Sequence, residues 1–182
     1  MSTVETSLKQ LLIEIGTLLD SVRHLKLHYS LDRNLINAPA SPETWHKLLT
    51  TTAIPPQSPL AEFFLLCDGV RASDVCNGYW IHNADIIIGQ FCSGEPIRIT
   101  APISVNILVI GSDGGGGRFA IDRNNWSDVF YMSEGMVTDA TFDGDECSVE
   151  LVANSFSNFL IFLRNEITEF VHNRQIRDGT TS

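Results

Sequence analysis

The sequence predicts an α+β fold, with a central, mostly antiparallel sheet flanked by N-terminal and C-terminal helices. Apolar residues recur at helical spacing near the start of the chain and again near its end, from Ala153 to Val171. Between them, from Gly78 to Met132, lie short runs rich in β-branched and aromatic residues, separated by Gly, Asn, Asp and Pro clusters. Helices at both ends of a run of strands place the helices on one face of the sheet. A length of 182 residues, 43% of them apolar, supplies one core and suits a single domain over 1–182. Within it, 1–53 reads as an N-terminal helical extension and 54–172 as the core.

The first element is a long amphipathic helix, in which Val4, Leu8, Leu11, Leu12, Ile15, Leu18, Leu19, Val22 and Leu25 share a face. Ser2, Thr3 or Thr6 is available as its cap. Ser41-Pro42-Glu43 starts a second helix, with a capping serine, proline at the first helical position and an early acid. Ser58-Pro59 repeats the signal, and Leu60, Phe63, Phe64 and Cys67 form one face of a short helix. Gly69 suits a left-handed stop after it. Asn37–Pro42 and Thr50–Pro59 read as the most mobile connections. The expected strands are Gly78–Ile81, Asp85–Ile88, Pro96–Thr100, Val105–Ile110, Arg118–Asp122 and Val129–Met132. Glu134–Glu150 reads as loop with one short strand around Val137 or Val149. The closing helix carries Phe156, Phe159, Leu160, Leu163, Ile167 and Phe170, with a frayed tail after Arg177.

Charge is distributed unevenly. The chain has 12 basic and 22 acidic residues and a formal net charge of −10. Residues 1–50 and 151–182 are each neutral, while 51–150 carry 14 acids against the four bases Arg71, Arg98, Arg118 and Arg123. An excess of this kind either solubilises a face or docks a basic partner. It argues against nucleic acid, whose phosphates need a basic surface. No apolar run approaches the roughly 20 residues of a membrane span, and Met1–Gln10 lacks the pattern of an export signal. A cytoplasmic location is therefore expected, with Cys67, Cys76, Cys92 and Cys147 as thiols.

No catalytic or metal-binding pattern is complete. Gly111-Ser112-Asp113-Gly114-Gly115-Gly116-Gly117 resembles a phosphate loop, but Arg118 follows where Lys-Ser/Thr is needed, and a strand follows where a helix is needed. A glycine-rich hairpin loop is the better reading. His24 and His28 lack the acid of a zinc-protease helix. The acids Asp139, Asp143, Asp145, Glu146 and Glu150 lack EF-hand spacing. There is no nucleophile elbow. Neither an enzyme nor a cofactor nor a bound metal is expected.

The order of four segments resembles the SUKH superfamily. Pro59–Gly69 (Pro-Leu-Ala-Glu-Phe-Phe-Leu-Leu-Cys-Asp-Gly) is similar to its opening helix with a terminal Asn/Asp-Gly pair. Ile107–Asp122 is similar to its central signature of apolar strand, Gly-x-Asp-Gly, further glycine and a strand ending in Asp. Val129-Phe130-Tyr131 is similar to the next strand, and Val152–Leu160 to the closing helix. The resemblance runs from about Ile54 to Leu163. It implies an α+β fold, a glycine motif that is a fold signature, and a protein that acts by binding another protein. Bacterial members are immunity proteins that neutralise a toxin, often a nuclease; a fungal branch regulates cell-wall synthesis.

The function expected is thus an immunity protein that neutralises a basic, nuclease-type toxin domain by forming a stoichiometric complex through an acidic surface. Asp113, Asp128, Glu134, Asp139, Asp143, Asp145 and Glu146 are the expected contact residues. The alternative is a scaffold or regulatory module with a nontoxin partner, docked through the N-terminal helix. That helix is also where a homodimer would form.

Overall fold

The computed structural model describes residues 7–25, 27, 29, 31, 33–133, 135–145 and 148–177. The caps proposed at Ser2, Thr3 and Thr6, together with Val4, His28 and the tail after Arg177, lie outside the described residues. Helix α1 (Leu8–Val22) is capped instead by Ser7, whose side chain accepts from the Gln10 amide. Helices α2 (Pro42–Thr52) and α3 (Pro59–Leu66) start where the two Ser-Pro signals place them, capped by Ser41 and Ser58. Helix α5 (Phe156–Arg177) closes the fold.

One expected strand is a helix. Asp85–Ile88 lies inside α4 (Ala84–Cys92), because Asn83 caps its first turn and the Asp68 carboxylate accepts from the Ala84 amide at 2.7 Å. Ala84, Ile87 and Ile88 are buried at helical spacing. Nor does Gly69 cap α3, which ends at Leu66 with Cys67 extended. Its φ of +96° and the closeness of Ile81 O, 2.7 Å from where a Cβ would sit, show a different need. Only glycine lets this backbone approach the neighbouring strand, and that approach brings Asp68 to α4. Asn37–Pro42 is tied down, with Asn37 N donating to Gly69 O and Ala40 N to Phe64 O.

The strands are β1 (Leu35–Ile36), β2 (Val70–Ala72), β3 (Tyr79–Ile81), β4 (Arg98–Ala101), β5 (Val105–Asp113), β6 (Arg118–Asp122), β7 (Val129–Met132), β8 (Met136–Thr138), β9 (Thr141–Asp143) and β10 (Val149–Ala153). All pairs are antiparallel except β4 with β9. Strand β5 organises the sheet: β6 pairs along one side of it, while β4 and β3 pair with its start and its end on the other. Its residues alternate between two clusters. Leu108 and Ile110 face the main core with α1, α3 and α5; Val105, Ile107 and Val109 face a second core with Ile99, Met132 and Phe142. Burial on both faces explains the unbroken apolar run in its sequence.

The main core also settles the place of the N-terminal helix. Leu8, Leu11, Leu12, Ile15, Leu19 and Val22 are buried in the same cluster as Phe156, Phe159 and Leu163 of α5. An ion pair of 3.0 Å joins Glu14 to Arg164. The division into an extension at 1–53 and a core at 54–172 therefore does not separate two packing units. The apolar face of α1, proposed above for a second copy or a partner groove, is covered by its own chain, and Ile13 is the one large apolar residue of α1 that is exposed.

Candidate functional site: unpartnered carboxylates and an aromatic cleft

The glycine loop is the turn of the β5–β6 hairpin, where Asp113 N donates to Gly117 O. Its glycines answer steric demands. A Cβ on Gly114 would collide with the backbone carbonyl of Asn77, and one on Gly117 with the ring of Tyr131. No helix N-terminus follows the loop, so the phosphate-binding arrangement is absent. Asp113 folds the turn: its Oδ1 accepts from Gly115 N at 2.9 Å and Gly117 N at 2.7 Å, and its Oδ2 from the Tyr131 hydroxyl at 2.8 Å. Three of roughly four acceptor positions on this carboxylate are thus filled from within the chain.

The expected contact residues do not form one group. Glu134 and Glu146 lie outside the described residues. Asp128 sits in the β6–β7 loop, at the far end of β6 from Asp113, and accepts from Asn125 Nδ2 at 2.9 Å. Five residues of β6, at about 3.4 Å each, hold the two apart. Asp145 accepts from the Ser148 hydroxyl at 2.7 Å and folds its own turn. Asp139 occupies the β8–β9 turn with a φ of +50°, and Asp143 ends β9; both are exposed.

The other acids of the central segment have structural roles. Glu62 and Asp85 lie in the first turns of α3 and α4, where the helix dipole favours an anion. Asp68 holds the start of α4, Asp74 bonds Asn34, Glu95 pairs with Arg118, and Asp122 accepts from Asn124 N. Apart from the helix-start acids Glu62 and Asp85, which bond no side chain or amide either, three carboxylates of the central segment remain with no bonding partner among the described residues: Asp139, Asp143 and Glu150. Asp139 and Asp143 stand on the β8–β9 hairpin, which pairs with β4, and Glu150 on β10, which pairs with β7 on the other side of β5. No group of three or more acids, histidines or cysteines that could hold a metal occurs among the described residues.

Glu150 also borders a cleft. Residues that pair directly across strands share a face, so Phe119↔Tyr131 and Tyr131↔Glu150 line up one row of side chains, with the Tyr79↔Asp113 pair beside it on the same face. Helix α5 lies over this row and contributes Phe162. Together with Val152 these residues enclose about 240 Å³. Phe119 is its buried floor, with ring centroids 5.2 Å from Tyr131, 6.2 Å from Tyr79 and 6.4 Å from Phe162. The Tyr79 hydroxyl donates to Glu166 Oε2 at 2.8 Å. Burial, then the bond to Asp113, raises the Tyr131 hydroxyl to about 12, and burial with the bond to Glu166 raises Tyr79 further. Both therefore stay protonated donors at neutral pH, locked onto carboxylates, and neither is a base.

Two other depressions differ in character. One of about 360 Å³ continues along α5 and mixes signs, Glu166 and Glu169 with Arg174 and Arg177. Its exposed Cys76 has a thiol pushed up by burial and then by Glu166 and Glu169, which opposes a nucleophilic thiolate. The second, about 290 Å³, lies beside β1–β3 and holds Arg33 and Arg71. Among the sequence-singled aromatics, Trp45 packs on the main core and donates to Ala61 O, and Trp126 also packs there.

The cleft was missed in the sequence because its residues come from six separate elements. Glu150 was visible as an acid, but nothing in its neighbourhood announced Phe119 or Phe162 across the fold. Comparison with protein-family models and with curated proteins gives no match. No helix among the described residues is long and apolar enough to cross a membrane.

Proposed function

We propose that this chain is a cytoplasmic, non-enzymatic binding protein of the immunity type, which neutralises a basic toxin domain by forming a stoichiometric complex. The observation that carries the proposal is the placement of the unpartnered carboxylates. Once every other described acid of the central segment is assigned to a helix start, an ion pair, a side-chain bond or a turn, Asp139 and Asp143 are left exposed on the β8–β9 hairpin and Glu150 on β10. A nuclease-type toxin needs a basic surface to hold phosphates, and an acidic surface opposite it competes directly with that substrate while speeding encounter.

The likeness of Pro59–Gly69, Ile107–Asp122, Val129–Tyr131 and Val152–Leu160 to the SUKH pattern supports the same function, and the steric role of the glycines agrees with a fold signature. The scaffold alternative loses its main support, because the helix it would dock through is buried in its own chain.

The test is affinity capture of the tagged full chain from its host, mass spectrometry of what binds, and association rates measured against salt. The expected partner is a basic toxin domain held one to one, whose association slows as salt rises and slows further for Asp139→Lys/Asp143→Lys. A neutral or acidic partner, or an association rate indifferent to salt and to that double variant, overturns the proposal.

A further inference from the structure

We infer that the cleft between α5 and the sheet is a socket for a single arginine side chain presented by a basic protein partner. The inference deepens the function proposed above and rests on it for the nature of the partner, but the socket is argued from its own walls.

The walls are of two kinds. Phe119, Tyr79, Tyr131 and Phe162 surround the space on several sides, and all but Phe119 are only half-buried, so ring surface remains open to it. Aromatic faces carry negative quadrupole potential and attract a cation. The second wall is carboxylate. Glu150 stands exposed on β10, on the same face as Tyr131, with no bonding partner among the described residues. Asp113 lies across from it with most of its acceptor capacity filled by Gly115, Gly117 and Tyr131. Its charge adds attraction, and Glu150 is the group free to form a direct bond.

No basic side chain among the described residues lines the cleft. Arg118 is adjacent to Phe119 in β6, but alternation turns it to the opposite face, where it pairs with Glu95. The socket's charge is therefore uncompensated among the described residues.

The chemistry selects among occupants. An anion is repelled by both carboxylates. A neutral apolar group would bury Glu150 without a partner, which is unfavourable. A lysine ammonium satisfies the charge but not the flat walls. A guanidinium stacks on aromatic faces and gives two parallel N–H donors to one carboxylate. Arginine and aromatic residues are also the side chains that dominate binding energy at protein interfaces.

The test titrates the full chain with N-acetyl-arginine methylamide, N-acetyl-lysine methylamide and N-acetyl-citrulline methylamide, the last a neutral isostere, following the aromatic side-chain NMR signals. The expected result is saturable, roughly millimolar binding of the arginine probe, with shifts confined to Tyr79, Phe119, Tyr131 and Phe162. Lysine should bind several-fold more weakly and citrulline not at all. Glu150→Gln, an exposed isosteric change, should weaken the arginine probe at least fivefold while leaving the circular dichroism spectrum and unfolding midpoint unchanged. Phe162→Leu should weaken it too. Equal binding of citrulline, an unchanged affinity in Glu150→Gln, or no saturable shift overturns the socket. If the probe fails to bind while a basic toxin domain is captured, the socket falls and the immunity function stands. If the probe binds but the captured partner is not basic, the reverse holds.

Discussion

Truncation of Leu11 to alanine tests whether the N-terminal helix belongs to the core. Leu11 is fully buried, at 0% exposure, in the cluster that α1 shares with α5. The change removes three apolar carbons, worth about 0.8 kcal/mol each by transfer, or about 2.4 kcal/mol in all. A partly collapsed cavity among rigid neighbours raises the total to about 3–4 kcal/mol. For a chain of this size each kcal/mol moves the melting point by about 2–4 °C, so a drop of roughly 6–16 °C is expected. The companion variant is Ile13→Ala, two residues away on the same helix and 54% exposed, which should stay within about 0.5 kcal/mol of the parent. Urea unfolding provides the assay, with the slope of each transition compared to confirm that the midpoint alone has moved. If Leu11→Ala and Ile13→Ala both lie within about 0.5 kcal/mol of the parent, α1 is an appendage and its packing on α5 is wrong. The result also decides how partner binding can be probed: if α1 is core, deleting residues 1–50 unfolds the protein and says nothing about docking.

Three further perturbations address the hairpin and the titrating groups. Gly114→Ala drives a methyl into the Asn77 carbonyl, a backbone atom that cannot swing away, and should cost about 1–3 kcal/mol; Gly116→Ala meets open space at a φ of +90° and should cost less, about 1 kcal/mol, so a reversed order in thermal unfolding would contradict the steric account. Asp113→Ala removes three hydrogen bonds and should cost about 2–3 kcal/mol, whereas Asp113→Asn keeps Oδ1 as an acceptor and should cost under about 1 kcal/mol; equal losses would show that charge and not turn geometry holds the loop. His82 bonds Gln90 and Ser112, and burial lowers its folded pKa below the unfolded value of about 6.5. The unfolded state then binds more protons, so this contribution is complete above the unfolded pKa and is lost as pH falls through the lower folded one. The parent should therefore lose more stability than His82→Gln between about pH 7 and pH 5, and parallel pH profiles of the urea midpoint would refute this.

What the sequence revealed depended on how local each cause was. Ser41 and Ser58 cap their helices through bonds spanning three residues, so the signal and the structure sit in one window. The β5–β6 hairpin was legible for the same reason. Helix α4 was not, because three consecutive isoleucines suggest a strand and the deciding group, Asp68, lies 16 residues upstream of the amide it holds. Strands β1, β2, β8 and β9 are two or three residues long, too short to show alternation, and exist because a neighbour pairs with them. Asp113 is expected from the sequence as a contact residue, but its charge hides its work in the turn: a carboxylate that organises a turn and one that waits for a partner look alike in sequence. Only hydrogen-bond partners separate Asp113 from Glu150.

That separation bears on why the protein keeps so acidic a face. Asp139, Asp143 and Glu150 gain nothing visible from their own fold, and they add to a net charge of −10 whose self-repulsion opposes the compact state. Screening by salt should therefore relieve the isolated protein and raise its stability modestly, while the same screening weakens attraction to a basic partner and slows association. A solubility face shares the first response but has no second. Opposite signs of salt dependence in folding and in partner association thus distinguish a docking surface from a solvated one, and the distinction holds whichever basic protein binds. Lysine at Asp139 and Asp143 should flatten both responses together, because the same carboxylates that strain the free protein are the ones a cationic partner would answer.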